Sequence, residues 1–406
     1  MRLIVDTNVL IDGLDFKKYE AVVIPIVCLE ELDKLKMNKD FMLSFKARQA
    51  IRSIYEATNK KIMISASRSL PLHLNEKLFD NEILRFVIEA IELKDVDAYY
   101  TKDINFRLKA ESVGIPIWEE ESTKCSIYTG YRESTMEDAQ LASHYGDSSN
   151  SMELLTNEYL IVKNTIGDVV DRQKWNGKGY IHVPVKSIGN KRRGQVDSLE
   201  QLKPMDAYQA CAIDSMNSND FTILTGRAGS GKTLLAISWL INAVDCGKIS
   251  KIVIVHNAVP LKNTQSLGFL PGTRNEKILG SQLGGILASK LGDMPTVIQW
   301  ITQGKIELIP ACDIRGVEIR SSEAIFVTEG QNMDAYTLKT VIQRAKEGAK
   351  IIVEGDILEQ QDIRNCDFED SGIYRAIEVF KGTPFFGCVQ LRNGYRSPIT
   401  VIADKM

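Results

Sequence analysis

Residues 222–233 read TILTGRAGSGKT. An apolar run ends at Gly226, Gly231 follows after four residues, and Lys232 and Thr233 come directly behind it. Leu234 to about Val244 is then apolar over a helical length. Strand, glycine-rich loop and helix in this order make a phosphate cradle. Glycines let the backbone close around phosphate oxygens, and a helix N-terminus adds free N–H groups and the positive end of its dipole. Gly226, Arg227, Ala228, Gly229, Ser230, Gly231, Lys232 and Thr233 are therefore the expected triphosphate-binding set. Lys232 is expected to reach the β- and γ-phosphates, and Thr233 to ligate Mg2+.

The same rhythm continues on both sides of this stretch. Strand-like runs occur at 221–225, 251–255, 324–327, 350–354 and 388–391, with helical patterns at 334–346 and 371–380. Alternation of this kind predicts an α/β fold, here a RecA-like P-loop NTPase domain over 201–406. Residues 1–118 alternate in the same way. Strands are expected at 2–5, 62–64, 98–101 and 115–117, and helices from Pro25, over 43–57 and over 80–93. This predicts a second parallel α/β sheet domain. Residues 119–200 form a weaker pattern: a polar break at 119–122, a short helix at 134–142, and strands at 158–163 and 179–185 around a turn at 174–177. A small β-rich connector is the expectation, followed by a basic linker, Lys191-Arg192-Arg193.

In parallel sheets the functional crevice lies beyond the carboxyl ends of the strands. Asp6 and Asp103 each follow a strand end, while Glu31 and Asp80 sit on helices that can border the same end. Four converging acids repel one another unless a cation neutralises them, and hard oxygen ligands select Mg2+ or Mn2+. Such an ion can activate water and clamp a phosphodiester. Scattered acids are more often solvated surface, so the residues alone leave both readings open.

With 406 residues, 44% apolar and 25% charged, the composition is that of an ordinary globular chain of two or three domains. Net charge is −3, so any nucleic-acid binding must use local patches. Seven cysteines, odd in number and without a CxxC pair, fit a reduced, cytoplasmic protein. No apolar run approaches the ~20 residues of a membrane span. Asp6 inside the first apolar stretch argues against a signal peptide.

Four segments, VDTNVLID at 5–12, IPIVCLEELDKLK at 24–36, DNEIL at 80–84 and YTKDINFRLKA at 100–110, resemble the PIN-domain nucleases. The resemblance implies that Asp6, Glu31 (rather than Glu30), Asp80 and Asp103 are catalytic and hold the metal, and that single-stranded RNA is the substrate. Residues 200–404 resemble the PhoH family of ATPases, similar to one helicase motor domain. GFLPG at 268–272, FVTEGQN at 326–332, EGD at 354–356 with Gln360 or Gln361, and Arg396-Ser397 carry it. It implies that Gln209 reads adenine, Glu329 acts as base or orients water, Gln331 contacts the γ-phosphate and Arg396 is an arginine finger. Two positions depart from the family. Thr328 stands where it has its Walker B Asp, and His256-Asn257 where it usually has Arg-Pro.

The two halves in this order resemble the PIN–PhoH fusion proteins. The resemblance implies an ATP-dependent RNA helicase or translocase coupled to a metal-dependent endoribonuclease, with ATP and Mg2+ or Mn2+ as cofactors. It further implies a ring, usually a hexamer, while an antitoxin partner is common context for PIN nucleases that leaves no mark in these residues. The alternatives are an ATP-gated nucleic-acid-binding protein with weak or no hydrolysis, motivated by Thr328, and a DNA-directed nuclease–helicase.

Overall fold

The computed structural model describes residues 1–38, 41–67, 79–119, 127–146, 149–189, 202–256, 282–357 and 371–395, with only the backbone described at 41, 42, 79, 80 and 282. The chain divides into two units, Met1–Ser126 and Ile127–Met406.

The first unit is built on a four-stranded parallel sheet of order β3-β2-β1-β4. Its strands are β1 (Arg2–Val5), β2 (Ala21–Pro25), β3 (Lys60–Met63) and β4 (Ala98–Tyr100). Between them run α1 (Thr7–Ile11), α2 (Ile26–Leu35), α3 (Phe41–Glu56) and α4 (Phe79–Glu92), and α5 (Ile104–Ser112) follows β4. Leu3, Ile4, Val22 and Ile24 of the sheet pack with Leu32, Leu84 and Val87 of the helices in one core. Helices covering a parallel sheet bury its strands, which is why β1 and β2 read as almost unbroken apolar runs. Strand β2 is not among the expected strands, because AVVIP runs straight into the helix that Pro25 opens. The expected strand at 115–117 is a single parallel bridge, Tyr99 to Ile117.

The second unit holds two sheets. The larger has six parallel strands in the order β11-β10-β12-β13-β9-β14. These are β9 (Phe221–Gly226), β10 (Lys251–His256), β11 (Ile306–Pro310), β12 (Glu323–Thr328), β13 (Lys350–Gly355) and β14 (Phe386–Leu391). Helix α7 (Ala207–Ser218) precedes β9, and α8 (Lys232–Asp245) follows the glycine-rich loop. Every residue of β9 and of β12 is buried, as a central parallel strand requires.

The smaller sheet has the order β5-β6-β7-β8, from β5 (Tyr131–Thr135), β6 (Tyr159–Lys163), β7 (Val169–Trp175) and β8 (Tyr180–His182). Here β7 extends through Trp175, so the hairpin turn falls after it, and the helix near 134–142 is α6 (Asp138–Gly146), which starts only behind β5. Successive strand residues face opposite sides. On β6, Tyr159 and Ile161 enter the core of α7 and the large sheet, while Leu160 and Val162 close a separate cluster with Met136, Leu154 and Trp175. That double burial explains why β6 carries no polar alternation.

Candidate nucleotide and nuclease sites

The glycine-rich loop leaves the carboxyl end of β9. Gly226, Gly229 and Gly231 have φ of +136°, +82° and +93°, a region that side-chain-bearing residues rarely adopt. A Cβ on Gly226 would also lie 2.3 Å from the Leu391 carbonyl oxygen of the neighbouring β14. Gly231 forms the N-cap of α8 without a capping side chain, so the first helical N–H groups remain available for an anion. The Lys232 ammonium folds back over the loop and donates to the carbonyls of Gly226 (2.6 Å) and Arg227 (3.1 Å). The buried hydroxyls of Thr225 and Ser230 have no hydrogen-bond partner among the described residues. A bare cradle with orphaned hydroxyls and a lysine held on its own carbonyls fits a triphosphate.

Residues at the neighbouring strand ends complete this edge. Thr328, at the end of β12, donates its hydroxyl to Glu354 Oε1 at 2.7 Å, and the backbone N–H of Glu329 donates to the same oxygen at 3.2 Å. Glu329 adopts φ +53°, an unusual conformation for a residue with a side chain. Its Oε2 accepts from Gln331 Nε2 at 2.6 Å, and Gln331 Oε1 accepts from the Asp356 N–H at 3.1 Å. Glu354 is 1% exposed. Burial pushes its carboxyl above the usual range, the charge of Glu329 adds to this, and Lys232 opposes it. His256, at the end of β10, is pushed down by burial, against the pull of Glu329.

In the first unit both strand-end aspartates are helix N-caps, the natural place for a short acceptor side chain. Asp6 caps α1 through the Asn8 N–H, and Asp103 caps α5 through Asn105 and Phe106. Thr101 joins them, donating its hydroxyl to Asp6 Oδ2 at 2.5 Å and accepting the Asp103 N–H at 3.1 Å. Thr7 donates to Glu31 Oε2 at 2.6 Å. Asp6 is 2% exposed, and burial pushes its carboxyl up while hydrogen bonds from Thr101 and Asn8 pull it down and Glu31 adds to the rise. Glu31 is half-buried and the neighbouring Glu30 exposed. Asp80 stands in the first turn of α4, and its side chain lies outside the described residues. Among the described residues no three His, Cys, Asp or Glu side chains form a complete cation cage. Glu31 nonetheless lies close enough to Asp6 to disfavour its charge, which a divalent ion would relieve.

Residues 3–120 match a family model described as PIN domain, and residues 201–400 one described as PhoH-like protein. The chain is a PIN domain joined to a PhoH-like domain. The protein named PhoH2 from Bacillus subtilis (strain 168) is 26% identical over 98% of this chain and 98% of its own length. PhoH2 from Thermobispora bispora is 26% identical over 99% of this chain and 95% of its own. A PhoH-like protein of Mycobacterium tuberculosis (strain ATCC 25618 / H37Rv) is 31% identical over 47% of this chain and 51% of its own. ATP binding and nuclease function go with these two domain types.

Within the PhoH-like domain, Gln209 does reach the loop, but its amide is already engaged. It donates to the Ser230 carbonyl at 3.2 Å and accepts the Met205 N–H at 2.9 Å. Arg396, GFLPG at 268–272 and Gln360 or Gln361 lie outside the described residues. Of the basic residues flanking Asp103 in the PIN domain, Lys102 pairs with Asp12 at 2.8 Å and Arg107 with Glu119 at 2.9 Å. Trp175 and Tyr180 meet edge to face in the small sheet's core. Among the described residues no helix is long and apolar enough to cross a membrane. Two residues at the nucleotide edge had no role from sequence: Glu354, quoted only within EGD at 354–356, and Thr225, an ordinary strand residue.

Proposed function

We propose that the protein is an ATP-driven RNA translocase or helicase coupled to a metal-dependent endoribonuclease. The observation that carries the first activity is the glycine cradle at the end of β9, with the Lys232 ammonium 2.6 Å from the Gly226 carbonyl. Displaced onto phosphate oxygens, that ammonium would offset their negative charge. Thr233 would face the divalent ion, which supplies charge neutralisation on the phosphates. Glu329, whose carboxylate accepts from Gln331, would orient the attacking water. The Gln209 amide would have to exchange its backbone partners before it could pair with a base edge.

In the PIN domain, Asp6 and Glu31 would hold a divalent ion whose role is to lower the pKa of a bound water. Thr7 and Thr101 fix the two carboxylates, and Asp103, with Oδ1 on its helix cap, would bring its other oxygen to them. Single-stranded RNA as substrate and a ring of subunits are implied by the PIN–PhoH resemblance and belong to this reading, and an antitoxin partner is the common context of PIN nucleases.

The two activities separate by substitution. Lys232→Ala should abolish RNA-stimulated ATP turnover and leave Mg2+- or Mn2+-dependent cleavage of unstructured RNA intact. Asp6→Ala should do the reverse. Cleavage that survives Asp6→Ala removes the nuclease assignment, and matched RNA and DNA strands in the same assay decide the substrate class.

A further inference from the structure

The PhoH-like resemblance puts an acid at the end of the Walker B strand, where this chain has Thr328. The strand order shows where a carboxylate is found instead. Strand β13 lies between β12 and the loop-bearing β9, so its carboxyl end is one strand nearer the cradle than Thr328. Glu354 sits there, in register with Leu224 of β9, two residues before the loop begins. It accepts the Thr328 hydroxyl at 2.7 Å and the Glu329 N–H at 3.2 Å, and it feels the charge of Lys232.

A glutamate that is 1% exposed, with hydrogen-bond donors but no ion-pair partner among the described residues, is costly to keep in a fold. It is consistent with a site that later receives positive charge. The orphaned, buried hydroxyl of Thr225 lies at the same edge, beside Gly355 in the ladder, and that of Ser230 lies in the loop itself. These polar atoms, each 1% exposed, independently indicate that a polar ligand belongs here.

We propose that Glu354, on β13, is the carboxylate that holds the water shell of the nucleotide-bound divalent cation, and that Thr328 positions it. The acid has moved one strand inward, and the residue left at its usual place has become its hydrogen-bond donor. Among the described residues the Thr328 hydroxyl bonds Glu354, not Asp356 or Asp334, the cap of the helix Ala335–Ile342. This inference rests on the ATP reading above and specifies which side chain serves the cation within it.

The test uses the full-length chain and equilibrium binding of a fluorescent ADP analogue in Mg2+ and in EDTA. Mn2+ electron paramagnetic resonance then reads the cation held with the nucleotide. Glu354→Gln keeps the size of the side chain and an acceptor for Thr328. It should lose the affinity that Mg2+ adds, by at least tenfold, and should weaken nucleotide-dependent Mn2+ retention by a similar factor. The exchange Thr328→Asp with Glu354→Thr should restore both. Circular dichroism checks that each variant is folded. If Glu354→Gln keeps the full Mg2+ increment and Mn2+ retention, the proposal is overturned. If the wild type binds no nucleotide under either condition, the ATP reading itself falls and takes the proposal with it. Lys232→Ala is the control for loss of the cradle itself, since it should lose binding in Mg2+ and EDTA alike, whereas Glu354→Gln should lose only the Mg2+ increment.

Discussion

Lys350 shows how one residue can set a pH dependence. Its ammonium donates to the Asn219 carbonyl and lies 5.2 Å from the centre of the Trp239 ring. Burial, the largest influence, pushes its pKa from 10.5 down to about 8, with Asp220 opposing and Lys248 assisting. The sign follows from proton counting. Between about pH 8 and 10.5 the unfolded chain holds a proton that the folded chain has released, so stability rises with pH across that window. Below pH 8 the folded state carries the full penalty of a buried charge. Lys350→Met should therefore stabilise the protein at pH 7 by about 1–2 kcal/mol, after allowance for the lost hydrogen bond and ring contact. It should also flatten the rise above pH 8. Urea midpoints at pH 7 and pH 9.5 check both, and a midpoint difference between the two pH values that survives the substitution would assign the dependence elsewhere.

At the scale of elements, the segment after β14 acts on the cradle. Asp206 caps α7 through the Gln209 N–H at 2.7 Å, and its other oxygen accepts from Tyr395 at 2.6 Å and Asn393 at 3.0 Å. The Tyr395 N–H in turn donates to the Gly229 carbonyl at 3.0 Å. One carboxylate thus holds a helix start and a strap over the phosphate loop. Asp206→Ala should cost about 2 kcal/mol, roughly 1 from the cap and the rest from the strap, read as a lower urea midpoint. Proteolysis after Tyr395 should also quicken relative to the wild type.

This scale also shows what local reading can reach. The β9–loop–α8 unit was legible because its signals are adjacent in sequence: apolar run, glycines, lysine, apolar helix. Strand β11, IELIP, is half-buried at a sheet edge, and its identity comes from pairing with β10 rather than from its own pattern. The role of Glu354 was equally out of reach, because it depends on β13 lying between β9 and β12. Strand order is set by packing across the whole sheet, and no stretch of the sequence states it. Asp6 and Asp103 were legible as strand-end acids, while their second duty as helix caps, linked through Thr101, emerges only in three dimensions.

At the scale of the molecule, the small sheet belongs to the same compact unit as the PhoH-like domain. Tyr131, Tyr159, Ile161 and Val183 share one core with Tyr208, Cys211 and Ala212 of α7. Asn157, at φ +65°, points its amide at the carbonyls of Pro384 and Phe386, 3.0 Å from each, and of Thr383 at 3.3 Å. Gly130 passes so close to β14 that a Cβ would fall 1.7 Å from the Cys388 carbonyl oxygen. Glu133 accepts from Tyr208 and, at 3.0 Å, from Arg392. Lys174 pairs with Asp214 of α7 at 2.8 Å. A chain beginning at residue 127 keeps all of these contacts, whereas one beginning at 201 strips an apolar face from α7. The longer fragment should melt in one cooperative transition and bind nucleotide, and the shorter one should aggregate or melt far lower. Within the longer fragment, Asn157→Ala should cost about 2 kcal/mol through its lost carbonyl contacts and leave a single transition. Two separate transitions in that variant, or equal melting temperatures for the two fragments, would mean that the small sheet folds as an appendage and that the nucleotide domain is complete without it.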